Sequence, residues 1–140
     1  LSKNSETPSG NVKQSVPFFM VTSMEASLRF YVDGLGFRKT IDWTPHGRIE
    51  WCWLELGGAA IMLQEYRAGL RPEATLGVGF SVCFMCEDAL AVYRDTEAKG
   101  LHTEKQPFVG NKLWVVHFKD PDGYDIYFES PTDAPEESSL

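Results

Sequence analysis

The stretch Lys119–Ser130, KDPDGYDIYFES, opens on a turn and runs into strict alternation. Pro121-Asp122-Gly123 has the chemistry of a tight turn: proline presets one φ angle and glycine accepts a left-handed one. After it, Asp125, Tyr127 and Glu129 fall on one side of a strand, and Tyr124, Ile126 and Phe128 on the other. The preceding run, KLWVVHFKD, alternates in the same way, so the two read as a hairpin.

The same pattern occurs earlier. IEWCWLEL, a Gly57-Gly58 turn and AAIMLQEY form a second predicted hairpin. Gly58-Ala59-Ala60-Ile61-Met62-Leu63 lies over Gly123-Tyr124-Asp125-Ile126-Tyr127-Phe128, and Tyr31 lies over Tyr93. Working outward from each hairpin gives two equal halves. VPFFMV is a short strand, and TSMEASLRFYVDGLG a helix with Thr22 and Glu25 spaced as a capping box and a Met24, Leu28, Tyr31, Leu35 stripe. FRKTIDW is a third strand segment. In the second half, VGFSVCFMC is a strand, EDALAVYRDTEAKG a helix ending at Gly100, and LHTEKQPF a weak strand. An internal repeat of this length is evidence about architecture. The expected fold class is α+β, with tandem βαβββ modules over 16–66 and 78–130 within one domain, 16–130. Residues 1–15 read as a tail or arm, and 131–140 as an acidic tail, neither able to bury enough to be ordered alone.

The totals narrow the function. The chain has 140 residues and a formal net charge of -7, which argues against nucleic acid or an anionic membrane as partner. No apolar run is long enough to span a bilayer, and LSKNSETPSGNVKQS lacks the core of a signal peptide. With Cys52, Cys83 and Cys86 as its only cysteines, the chain is expected to be cytoplasmic with reduced thiols. Cys83 and Cys86 have CxxC spacing, but in a strand they point to opposite faces and act as small apolar residues.

The repeated βαβββ pattern, SLRFYVDGLGF after the first strand and FKDPDGYDIYF at the last hairpin resemble the vicinal oxygen chelate superfamily: glyoxalase I, extradiol dioxygenases, fosfomycin-resistance enzymes and bleomycin-resistance proteins. The resemblance implies curved mixed sheets around an open cup, with helices outside. Strand alternation then turns Phe19, Val21, Ile61, Leu63, Val82, Phe84, Ile126 and Phe128 toward the helices. The opposite parity faces the cup: Val16, Phe18, Met20, Trp51, Trp53, Met62, Gln64, Ser81, Cys83, Met85, His117, Asp125, Tyr127 and Glu129.

In metal-dependent members of that superfamily, His, Gln or Glu ligands sit near the middle of four inner strands. Carried over by position, those sites are Val16, Met62, Ser81 (or Phe80) and Tyr127. A divalent ion needs imidazole or carboxylate donors, and this set supplies neither. No metal or other cofactor is therefore expected. The closest resemblance is to the metal-free bleomycin-resistance type, which sequesters a cationic aromatic antibiotic between two subunits and so confers antibiotic resistance. On that reading the chain is a homodimer that binds an aromatic small molecule, one able to carry positive charge. Its ligand-binding residues are Phe18, Met20, Trp51, Trp53, Met62, Met85, His117, Tyr127 and Glu129, and no residue is assigned a catalytic role. The alternatives are a glyoxalase- or dioxygenase-type lyase or oxidoreductase with a displaced metal site, acid–base chemistry by His117, and a structural dimer with a filled cup.

Overall fold

A computed structural model describes residues 9–140. Residues 1–8 of the expected N-terminal tail lie outside the described residues. Ser9–Asn11 form a single 3-10 turn, and residues 12–15 are exposed without regular structure.

The order of elements is β1 (Phe18–Val21), α1 (Met24–Leu28), β2 (Arg38–Trp43), β3 (Trp51–Leu56), β4 (Ala59–Glu65), β5 (Ser81–Met85), α2 (Ala89–Ala98), β6 (Phe108–Gly110), β7 (Leu113–Lys119) and β8 (Asp125–Pro131). They build two four-stranded mixed sheets, ordered β1-β4-β3-β2 and β5-β8-β7-β6. In each, one strand pair is parallel (β1 with β4, β5 with β8) and the others are antiparallel. The α+β fold of two βαβββ modules is thus as the repeat predicts, and the sheets are not closed on each other.

Local details differ from the sequence reading. Ser23, not Thr22, caps α1, accepting from the Ala26 N–H at 3.1 Å. Thr22 is drawn away because its N–H and hydroxyl bind the Asp122 carboxylate of the other module. Beyond Leu28 the helix widens into a π-helical turn, Arg29–Gly34. LHTEKQPF contributes only its last residue to β6. Residues 131–140 do not stand alone. They fold back along β6, where Val109 donates to the Ser138 carbonyl and Glu137 to Val109, both at 2.9 Å. Glu136 meanwhile accepts from the Asn111 and Lys112 amides, which lie in a left-handed turn with φ 54° and 64°.

The core lies on the helix side of both sheets. Phe19, Val21, Ile61, Leu63, Ile126 and Phe128 are buried there, as alternation requires, with Tyr31, Phe37 and Phe118. The modules share this core. Phe30 packs edge-on to Phe118 with centroids 6.4 Å apart, and Phe37 meets Phe84 at 5.6 Å. The junction is pinned by Asp120, itself buried. Its carboxylate accepts from the Tyr31 hydroxyl at 2.8 Å and from the Asp122 and Tyr124 amides at 2.9 Å each. Burial pushes this carboxylic acid above its ordinary pKa, against the pull of those donors. The same burial, beside Asp120, keeps the Tyr31 phenol protonated and so a donor.

Replacing Tyr31 with Phe removes a hydrogen bond to a buried carboxylate while keeping the ring. Urea unfolding should show a loss of about 1.5–3 kcal/mol. A loss near zero would mean that the junction does not depend on this bond.

Candidate ligand-binding faces

The candidate site residues lie on the faces turned away from that shared core. On the first sheet, pairing sets them in rows. Phe18 pairs with Met62, Met62 with Trp53 and Trp53 with Ile41. One step along, Met20 pairs with Gln64, Gln64 with Trp51 and Trp51 with Trp43. The resulting face is apolar and wet. Phe18 is 51% exposed, Ile41 53% and Trp43 45%. The Trp53 indole N–H donates to Glu55 at 2.8 Å, which satisfies the one polar atom of that ring.

Ile41 and Trp43 were not expected on this face. Plain alternation from Arg38, which pairs with Glu55, would place Thr40 and Asp42 there. The register instead shifts between Lys39 and Ile41, leaving Thr40 as the extra residue. A bulge of this kind reverses the parity of everything after it. Asp42 then pairs with buried Cys52 on the helix side. The only sequence signal is a β-branched threonine between Lys39 and Ile41, which specifies nothing.

The second sheet carries Met85, His117, Tyr127 and Glu129, and it is polar. Cys83 pairs with Tyr127 and Tyr127 with His117. The His117 and Tyr127 rings stack with centroids 4.4 Å apart and planes 8° from parallel. His117 Nε2 lies 2.7 Å from an Asp125 carboxylate oxygen, which also accepts from Lys119 at 2.7 Å. Those two donors, Lys119 first, hold the Asp125 acid below its ordinary pKa. An ionised carboxylate only accepts, so Nε2 carries the proton and Nδ1 of the neutral ring keeps its lone pair. Partial burial and the neighbouring Glu129 push the Cys83 thiol up to about 11, so it is not a thiolate at neutral pH. Cys52, Cys83 and Cys86 are all free.

The structure thus brings Phe18, Met20, Trp51, Trp53 and Met62 together on one face and Met85, His117, Tyr127 and Glu129 on another. Among the described residues, no hydrogen bond or ring contact joins the two faces. The contacts between modules come from helix-side residues and loops. The four positions where the family holds a metal divide in the same way. Val16 precedes β1 and is half-buried, Met62 is on the first sheet, and Ser81 and Tyr127 are on the second. Their donors do not fit a divalent ion: an alkyl group, a thioether, a hydroxyl and a phenol. Among the described residues, no group of three or more His, Cys, Asp or Glu side chains could hold one elsewhere.

This architecture defines a two-module protein with open, helix-free sheet faces. The family model of the Glyoxalase/Bleomycin resistance protein/Dioxygenase superfamily matches residues 15–128, and the chain belongs to that superfamily. Similar solved structures include a glyoxalase/bleomycin resistance protein from Catenulispora acidiphila, 26% identical over 86% of this chain and 97% of that one, with a TM-score of 0.63. TioX from Micromonospora sp. is 20% identical over 88% and 99%, with a TM-score of 0.64. UcmS2 is 16% identical over 84% and 98%, with a TM-score of 0.68. No curated protein matches the chain significantly. No helix among the described residues is long and apolar enough to cross a membrane.

Asp125 gives a pH prediction with a definite sign. A carboxylic acid held below its unfolded pKa stabilises the fold above that ordinary value, and the contribution fades as pH falls through the lowered one. Carboxyl NMR should place the Asp125 midpoint below that of a model aspartate. Lys119→Met and His117→Ala should each move it back up. A midpoint that neither change moves would show that these two hydrogen-bond partners do not set it.

Proposed function

We propose that the chain is a metal-independent binding protein that acts as a homodimer and sequesters an aromatic small molecule, cationic ones included. The observation that carries this reading is the first sheet's inner face. Three indoles, Phe18, Ile41 and two thioethers share one face, on which Phe18, Ile41 and Trp43 are exposed, and a contiguous exposed apolar patch is the usual mark of an interaction site. Indole faces hold flat rings, each contact worth about 0.5–1.5 kcal/mol beyond burial, and attract cations by about 0.5–2 kcal/mol. The second sheet's inner face supplies complementary chemistry: the Tyr127–His117 stack, with the Asp125 and Glu129 carboxylates to orient or neutralise a cation. A second copy, setting its polar face against the apolar face of the first, brings both kinds of group around one ligand. The family resemblance to bleomycin-resistance proteins supports that arrangement and a protective role. The chemistry of the four ligand positions supports independence from metal.

A second reading has its own observation. His117 is held by Asp125 with its second nitrogen available, which is the geometry of a general base. On that reading the protein is a lyase or oxidoreductase of the superfamily, working by His117 or with a displaced ion.

Tryptophan fluorescence, titrated with a panel of cationic aromatic antibiotics that includes bleomycin, should reveal a saturable ligand. Trp51→Ala should then weaken it roughly tenfold. If affinity is unchanged, the face is misassigned. His117→Ala separates the readings, because a binder loses affinity only, whereas an enzyme loses turnover. Metal analysis that finds one tightly held ion per chain would overturn independence from metal. In sedimentation, the wild type should run as a dimer and Phe18→Asp as a monomer.

A further inference from the structure

The internal repeat reveals an asymmetry away from the inner faces. At one junction between the modules, the β7–β8 hairpin reaches β1. The Tyr124 ring lies 4.9 Å from that of Phe19, and its hydroxyl donates to the Met20 carbonyl at 2.8 Å. Tyr31 closes this junction through Asp120.

Register identifies the counterparts at the opposite junction. Phe18 pairs with Met62 and Cys83 with Tyr127, and Met62 and Tyr127 are repeat equivalents. Phe19 therefore corresponds to Phe84, and Met20 to Met85. Leu56 pairs with Ala59 as Asp120 bonds Tyr124. Ala59 thus stands where Tyr124 stands, and Leu56 where Asp120 stands. The N-caps Ser23 and Asp88 correspond in the same register, so Thr96, rather than the Tyr93 of the sequence overlay, stands where Tyr31 stands, and its hydroxyl donates to the Val92 and Tyr93 carbonyls at 2.9 and 3.0 Å. A methyl group takes the place of a phenol ring, and beside it lies a cleft of about 920 Å³, open on one side and larger than the one missing ring. Its walls include Leu56, Ala59, Phe84, Met85, Val92 and Thr96.

We propose that this cleft is a second ligand site and that it takes a small phenol. The chain's own Tyr124 is the template. The guest ring lies on Phe84, which is steadied by Phe37 at 5.6 Å and Phe128 at 5.3 Å. The guest hydroxyl donates to the Met85 carbonyl. That carbonyl faces the open side of β5, because the next residue, Cys86, directs its N–H to Glu129 of β8 at 2.9 Å, and β5 is an edge strand. Glu87, Asp95 and Lys99, which also line the cleft, meet polar substituents on the ring. The site touches the second sheet's inner face at Met85 but lies apart from the aromatic face of the first sheet, and the phenol proposal does not require the aromatic face to bind anything.

The test is an amide NMR titration of the whole protein with 4-methylphenol, the side chain of tyrosine as a free molecule. Saturable shifts are expected at Ala59, Met85, Cys86 and Val92. Toluene, which lacks the hydroxyl, should bind there about fivefold more weakly. Ala59→Tyr should refill the space from within, abolish the shifts and raise Tm by a few degrees, roughly the effect of one well-packed ring. Val92→Phe, which fills the cleft from α2, should also abolish them, and it decides the matter if Ala59→Tyr does not fold. Three results would each overturn the proposal: no saturable shift, shifts confined to inner-face amides such as Trp51 and Trp53, or binding that survives Val92→Phe in a folded protein.

Discussion

The buried Asp120 carboxylate is the constraint on which the architecture depends. It sits in the turn of one module and takes its hydrogen bonds from that turn and from Tyr31 of the other module. A carboxylate taken out of water is costly unless its oxygens are bonded, so the turn and the helix must meet in one way. Once they do, the helix-side faces of both sheets are drawn over one core, through Phe30, Phe37, Phe84 and Phe118. The opposite faces are left free as a consequence. On the proposed reading, ligand binding uses the surfaces that folding does not need.

Those two free faces differ in kind, and the difference bears on chemistry. One is indole, phenyl and thioether; the other carries carboxylates, an imidazole and an ammonium ion around Asp125. In metal-dependent relatives, both faces contribute charge or imidazole to a shared ion. Here the first face keeps its charge at its edge, where Glu55 is held by Arg38 and the Trp53 indole, and on the second face Lys119 and His117 already satisfy Asp125. An ion arriving there would lose hydration on the first face and meet mostly sulfur and aromatic carbon around the Gln64 amide. A flat organic cation suffers much less, because its charge is spread and its hydration weaker. That difference is what the proposed stacking function rests on.

How much of this was legible in the sequence follows from the period of a strand. With a period of two, one correctly placed hairpin fixes which residues face the core, and Phe19, Ile61, Leu63, Ile126 and Phe128 are buried as alternation requires. Whatever breaks the period is invisible. The bulge at Thr40 moves Ile41 and Trp43 onto the apolar face, and no residue announces it. Long-range competition is invisible too. Thr22 looks like a helix cap in its local context, yet Asp122, a hundred residues on, takes its hydrogen bonds, and Ser23 caps instead. The acidic C-terminal stretch reads as a tail because its bonds are to β6 backbone, which has no sequence signature. The candidate ligand residues were legible one strand at a time, but which of them share a face required the sheets to be assigned.

The repeat also shows how a duplicated module acquires differences. Two copies of one βαβββ unit offer two equivalent junctions, but stability needs only one to be locked. Tyr124, Asp120 and Tyr31 lock the first with buried rings and bonded oxygens. The second has Ala59, Leu56 and a Thr96 whose hydroxyl bonds its own helix, and it leaves its space open. A cleft left open to water forfeits the contacts its walls would have made with a packed ring. That cost is tolerable because the first junction already fixes the modules. A loss of packing at one of two redundant contacts is therefore where a folded chain can most readily hold a guest.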